Sequence, residues 1–418
     1  MRFLHAADIH LDSPLIGLSA YPDAPAELLR TATRDALHNL VELAIDERVD
    51  FLVIAGDLYD GGWKDFNTGI HFAWQMGRLK RAGIPVYVLH GNHDAESEMT
   101  RRLSLPDNVQ VFPTSKAATF TLPELKVALH GRSFKTAATT EDLVPGYPAP
   151  RPGWLNIGVL HTALEGYAAH ASYAPCSIAE LRAKGYQYWA LGHVHEHQIW
   201  HGDSTIAFPG NLQGRNIRET GPKGALLVTA DEQEIRAVER RYVDVLRWHR
   251  LQVDVSEAAR LGEVSRLIGG ALEHLLAHDD SGRTLAVRVT VAGATAAHGE
   301  LFGLESQLRA EVLAQAAAIA GERMWIEKVV VDTRPRESAE QLAARGDALA
   351  DLQAILAAAD SDPDLLASLK DDFDELLSRL PPDISQAVAL LEDLRGARYA
   401  ELVRATVPSL LARVGAAE

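Results

Sequence analysis

VYVLHGNHDA, residues 86–95, runs from four apolar positions into histidine, glycine, asparagine, histidine and aspartate. Its apolar half reads as a buried strand and its polar half as what that strand carries at its end. The same change of character recurs in MRFLHAADIH at 1–10, FLVIAGDLYD at 51–60, NIGVLHTALE at 156–165 and YWALGHVHEH at 188–197. Strands are therefore expected over 51–55, 86–89, 157–160 and 188–191, with helical spacing of apolar residues over 27–47 and 68–81. Short strands alternating with longer amphipathic stretches, from Met1 to about Tyr242, predict an α/β fold.

Five polar clusters follow these runs: Asp8-Ile9-His10, Gly56-Asp57, Gly91-Asn92-His93-Asp94, His161 and Gly192-His193-Val194-His195. Each falls at the carboxyl end of a buried strand, where the ligand sites of α/β sheets collect, so all five can line one crevice. Asp8 and His10 are two residues apart, as are His193 and His195, and extended backbone would aim both members of a pair to one side. Carboxylate, imidazole and amide oxygen are donors suited to manganese, iron or zinc, and the one thiol, Cys176, lies outside the clusters. Glycines before Asp57, Asn92 and His193 allow tight turns and close approach. Singly, each residue has an ordinary explanation, Asp8 as a helix cap, Asp57 in a turn, His161 as a packing histidine. Together, in order and at strand ends, they point to one site.

This ordered set resembles the calcineurin-like metallophosphoesterase superfamily over residues 1–242, which implies a β-sandwich flanked by helices and a two-metal hydrolase. ADIHLDSPL at 7–15, the stretch 186–195 and PGNLQGRNIRETGPKG at 209–224 are similar to bacterial DNA repair exonucleases of the SbcD and YhaO type, and most of all to the YhaO type. The resemblance implies that Asp8, His10, Asp57 and His195 hold one divalent metal ion and that Asp57, Asn92, His161 and His193 hold the other, with Asp57 bridging. Manganese is the first choice of metal, with iron or zinc as alternatives. Water would then be the nucleophile, His93 the catalytic histidine that stabilises the transition state or protonates the departing oxygen, and Asp60 the carboxylate that orients it. The same resemblance implies DNA as substrate, a capping domain after the phosphoesterase domain and a coiled-coil ATPase as partner, while the sequence leaves a homodimer open. Independently, Arg215, Arg218 and Lys223 in the glycine-rich loop after the last ligand are candidates for phosphate-backbone contact, and His170 with Tyr173 for the substrate groove.

The length of 418 residues suggests two or three folded units. After the first, at 1–242, residues 243–334 read as β-α-β-α-β, with strands over 250–255, 284–291 and 324–331 and helices over 257–278 and 303–320. That pattern predicts a small α+β capping domain. Residues 335–418 show leucine and alanine at helical spacing, stopped or started at Asp362-Pro363, Pro381-Pro382 and Pro408, and predict a helical segment that either docks a partner or completes the fold.

A single cysteine excludes an internal disulfide framework and fits a reducing compartment, and neither a signal peptide nor a membrane span is evident, so a cytoplasmic location is expected. The net charge of -16 runs against a nucleic-acid binder, but residues 337–418 alone hold sixteen acidic against seven basic residues. The site-bearing part is only mildly acidic. A metal-dependent DNA exonuclease is therefore the leading reading, with two alternatives. One is hydrolysis of a small phosphodiester or phosphoprotein, and the other is a recruiting subunit of an ATPase complex.

Overall fold

The computed structural model describes residues 1–13, 24–60, 66–96, 104–165, 173–336, 348–379 and 398–415, together with Gln341, Ala344, Leu394 and Gly396. Contacts divide the chain into two units between Trp248 and His249.

The first unit runs β1 (Arg2–Ala6), α1 (Ala26–Asp46), β2 (Phe51–Ala55), α2 (Phe66–Arg81), β3 (Val86–Leu89), α3 (Asn92–Glu96), β4 (Val109–Val111), β5 (Ala118–Leu122), β6 (Val127–Gly131), β7 (Leu155–His161), α4 (Ile178–Ala183), β8 (Tyr188–Gly192), β9 (Gln198–Trp200), β10 (Thr205–Phe208), β11 (Gly224–Asp231) and β12 (Glu234–Tyr242). One sheet has the order β12-β11-β1-β2-β3-β4 and the other β5-β6-β7-β8-β10-β9. β1 to β4 pair in parallel, as do β6, β7, β8 and β10, so the strands that end in the polar clusters deliver them to one edge of each sheet.

The two sheets face each other. Phe3, Phe51, Val53 and Tyr87 from the first share a core with Val127, Leu129, Ile157, Val159, Tyr188 and Ala190 from the second. Phe3 stacks on Phe51 at 4.8 Å and meets Tyr188 edge-on at 5.4 Å across the sandwich. On the outer face Leu4, Leu52, Ile54, Val86 and Val88 pack against Leu37, Leu40, Phe72 and Met76 of α1 and α2. Because β2 is covered on both faces, all five of its residues are buried, which explains why it reads as an unbroken apolar run rather than an alternating one. The expected sandwich flanked by helices is the one observed.

The second unit holds β13 (Leu246–Asp254) from His249 onward, α5 (Leu261–Ala277), β14 (Thr284–Thr295), α6 (His298–Gly303), α7 (Glu305–Ala320) and β15 (Met324–Pro335). Its sheet has the order β13-β14-β15, with β14 and β15 parallel. Val264, Ile268 and Leu272 of α5 and Leu308 and Val312 of α7 bury against Val287, Val289, Val291 and Ile326. The helix expected from 257 begins only at Leu261, since Val255 N–H is still bonded to Ala292 of the sheet and Asp254 accepts from Ser256 in a turn. The helix expected over 303–320 is observed from Glu305 to Ala320, and a short helix that was not expected, His298–Gly303, precedes it, separated by Leu304, whose backbone leaves the helical region. The expected boundary near 243 lies a few residues before the observed division. Trp248, fully buried, donates its indole N–H to Gly214 O at 2.9 Å, and Gln213 Nε2 donates to Leu246 O at 2.7 Å, which ties that stretch to the first unit.

Three helices follow among the described residues: α8 (Ala348–Ala358), α9 (Pro363–Arg379) and α10 (Tyr399–Gly415). Leu366, Phe373 and Leu377 of α9 pack against Leu394, Tyr399 and Leu402, and α10 rests on α6 within the same unit. No helix among the described residues is long and apolar enough to cross a membrane.

Candidate metal centre

The ends of β1, β2, β3, β7 and β8 build the site through unusual backbone. Asp8, His10, Asp57 and His193 all have positive φ, at 50°, 45°, 52° and 104°. Left-handed conformation is costly for residues with a Cβ and persists only where surrounding contacts impose it. Here Asp8 N–H donates to Gly56 O and His10 N–H to Asp57 O, each at 3.0 Å, so the two loops hold one another in place. The expectation that extended backbone aims Asp8 and His10 together is thus corrected, because the strand stops at Ala6 and two left-handed turns do the aiming. Glycine is needed beside them. A Cβ on Gly91 would stand 2.3 Å from Asp57 Oδ1, and one on Gly56 would stand 2.3 Å from His161 Nδ1.

Besides His10 with Asp60 and His93 at the rim, two groups of possible ligand atoms result, Asp8 with His10 and His195, and Asp57 with His161 and His193, the atoms of each of the three lying within 4.8 Å of one another. Asp57 stands between them. Its Oδ1 accepts the His93 N–H at 3.0 Å, which leaves Oδ2 at 3.8 Å from His10 Nε2 and 3.4 Å from His161 Nε2. Asn92 joins the second group through Oδ1, 3.0 Å from His161 Nε2. Asp8 is fixed by the His193 N–H, which meets both its oxygens at 3.0 Å.

The donor set fits divalent cations on its chemistry. His161 Nδ1 donates to Ala55 O at 3.0 Å, so its Nε2 points a lone pair at the lone pairs of Asn92 and Asp57. His195 Nδ1 donates to Glu219 Oε1 at 2.8 Å, so its Nε2 faces His10 Nε2, only 3.1 Å away. Lone pairs gathered this closely are held by a proton or by a metal. The site also responds electrostatically. Burial would lower the His161 imidazole, but the Asp57 carboxylate, its hydrogen bond and Asp8 raise it to about 9. Burial would likewise raise Asp57, yet His161, His10 and His93 hold it well below the usual carboxylate range. Burial pushes His10 down to about 3.

His93 sits at the rim, its side chain 40% exposed, with Nδ1 at 3.2 Å from Asp60 Oδ1. That hydrogen bond raises the His93 pKa above its ordinary value. The other oxygen of Asp60 accepts from Ser13 Oγ at 2.5 Å. All seven expected ligands, His93 and Asp60 are therefore brought together. The loop candidates fare differently. Arg215 is anchored on Glu219 (Nη2 to Oε1, 3.0 Å) and reaches to 4.0 Å from Asp60, at the rim, whereas Arg218 is exposed. Lys223 is buried and donates its ammonium to His195 O at 3.0 Å, which occupies the charge expected to meet phosphate. His170 lies outside the described residues. Tyr173 meets the His193 ring edge-on at 5.5 Å.

Two residues to which the sequence reading gave no role complete the site. Asp94, fully buried, accepts the N–H groups of Leu58 (3.1 Å), Tyr59 (2.9 Å) and Gly91 (3.0 Å), and so splints the loops carrying Asp57 and Asn92. Glu219 is the partner of His195. Its only signal in sequence is an acid in the basic loop that follows the last ligand, which the arginines around it obscure.

Residues 1–197 match the calcineurin-like phosphoesterase family, and residues 248–334 match the family described as metallophosphoesterase YhaO, middle domain. The chain is 32% identical over 297 residues to the uncharacterized metallophosphoesterase YhaO of Bacillus subtilis (strain 168), which spans 70% of this chain and 72% of that protein. It is 25% identical over 272 residues to the DNA double-strand break repair protein Mre11 of Sulfurisphaera tokodaii, covering 61% of this chain and 67% of that one. For the Mre11 of Methanopyrus kandleri the figures are 26% over 282 residues, 60% and 58%.

Proposed function

Because the chain belongs to the calcineurin-like metallophosphoesterases, we propose that it is a two-metal phosphodiesterase acting on DNA, as an exonuclease in repair. The observation that carries the two-metal reading is Asp57 Oδ2, which lies within 4 Å of a ring nitrogen from each ligand group while its partner oxygen is occupied by backbone. DNA as substrate rests on the similarity to the two Mre11 proteins, whose names place them in double-strand break repair. Mixed oxygen and imidazole donors without thiolate suit manganese, iron or zinc alike, and manganese is the first to test.

Bound divalent cations would supply an activated water and the positive charge that clamps phosphoryl oxygens. The residues of this chain do the rest. Asp8, His10 and His195 would hold one ion, Asn92, His161 and His193 the other, and Asp57 would serve both. His93, 40% exposed at the rim, has its Nδ1 held by Asp60, which leaves Nε2 as the nitrogen that would give a proton to the departing oxygen. Arg215 adds a fixed positive charge beside them.

The decisive test is the full chain loaded with manganese, assayed on end-labelled single-stranded and double-stranded DNA beside bis(p-nitrophenyl) phosphate. Shortening of labelled DNA from an end, lost with chelator, is expected. Hydrolysis of the small diester with DNA untouched would move the assignment to a small-phosphodiester enzyme.

A further inference from the structure

The two cation positions differ in what stands behind their histidines. His161 rests its Nδ1 on a neutral backbone carbonyl, Ala55 O, at 3.0 Å. His195 rests its Nδ1 on a carboxylate, Glu219 Oε1, at 2.8 Å. That carboxylate is itself fully engaged, since Oε1 also accepts Arg215 Nη2 at 3.0 Å while Oε2 accepts Arg215 N–H at 2.7 Å and Asn211 Nδ2 at 3.0 Å. Its side chain is only 10% exposed. Glu219 cannot swing away without breaking all of these bonds, so the His195 ring has one orientation and one tautomer, with Nε2 bare and turned to His10 and Asp8.

We infer that Glu219 is a positioning residue that makes the Asp8/His10/His195 position the one whose affinity can be lost separately from the other. The inference rests on the two-metal reading above. A carboxylate behind a ligating histidine fixes the ring and raises the basicity of the ligating nitrogen, and removing such a partner weakens metal binding by about 10- to 100-fold. His161 has no such partner to lose, so its position is indifferent to Glu219.

The experiment titrates metal-stripped full-length protein with Mn²⁺ alone and reads the free ion by electron paramagnetic resonance. Wild type should bind two ions. Failure to do so would refute the two-metal reading itself, before any variant is made. Glu219→Ala should weaken one binding step by about 10- to 100-fold and leave the other at its wild-type affinity. Glu219→Gln, close to the same volume, should weaken the same step by less, and it decides the matter if the alanine variant does not fold. Equal weakening of both steps would mean that Glu219 merely supports the loop, and two unchanged steps in a folded variant would show that it does nothing for the metals. Either outcome overturns the proposal.

Discussion

The first and second units are both sheets covered by helices, with apolar cores of similar make-up, yet they treat their backbone differently. All non-glycine residues with positive φ among those described lie before Trp248, and four of them are the site residues Asp8, His10, Asp57 and His193. The first unit also buries Asp8, Asp57, Asp94, His10, His161 and His193, whereas among the described residues of the second unit the buried carboxylate is Glu327, which pairs with Arg288 (Oε2 to Nε, 2.7 Å), and the buried histidine is His298, 3.0 Å from Thr333 Oγ1. Strain and buried charge cost stability wherever they occur, and a fold retains them where they serve chemistry. The second unit, by contrast, is put together as a packing unit.

If that contrast is right, the largest effects belong to single residues of the first unit. Asp57→Asn should abolish hydrolysis of bis(p-nitrophenyl) phosphate and reduce the bound metal measured by mass spectrometry, because one change weakens both positions. Retention of two tightly bound ions would break the link between the shared carboxylate and the site. His93→Ala should keep both metals and lower turnover by about 10²- to 10⁴-fold, the range of a general acid. Loss of metal along with activity would make His93 a ligand or support instead.

A pH effect sharpens the same contrast. In the metal-free protein His161 keeps its second proton up to about 9, against an ordinary value near 6.5, and a metal must displace that proton. Affinity for Mn²⁺ at the second position should therefore rise up to about tenfold per pH unit below 9 and flatten above it, as read by titration at several pH values. The sign for stability is opposite. A raised pKa stabilises the metal-free fold below about 6.5 and that contribution fades as pH climbs through 9, so its melting temperature should fall over this window unless metal is added. A flat affinity profile would show that Asp57 does not hold His161 charged.

The smallest effect is expected from the acidic C-terminal helices. Truncation before residue 338 should leave the small-diester rate of the first unit unchanged, since every site residue precedes Gly224. A drop in that rate would show that the tail supports the enzyme itself. Leu365 is 37% exposed, whereas Leu366 and Leu377 are partly buried in the tail's own cluster, and the side chains of Leu376 and Leu380 lie outside the described residues. Docking remains our proposal for this segment.

The sequence alone determined the α/β class, the positions of β2, β3, β7 and β8 and the ordered set of candidate ligands, because a strand buried on both faces must be apolar throughout and the polar residues after it recur at the same edge. It also suggested the pairing of His93 with Asp60, through resemblance. Tertiary structure alone decided how the ligands meet. Asp8 and His10 converge by left-handed turns that no spacing rule predicts, since a positive φ at a residue with a Cβ is imposed by the facing loop and not by local preference. Lys223 turned inward and Glu219 took His195 for the same kind of reason: a charged side chain near a site takes whichever partner the fold brings within reach, and that partner here comes from another stretch of the chain.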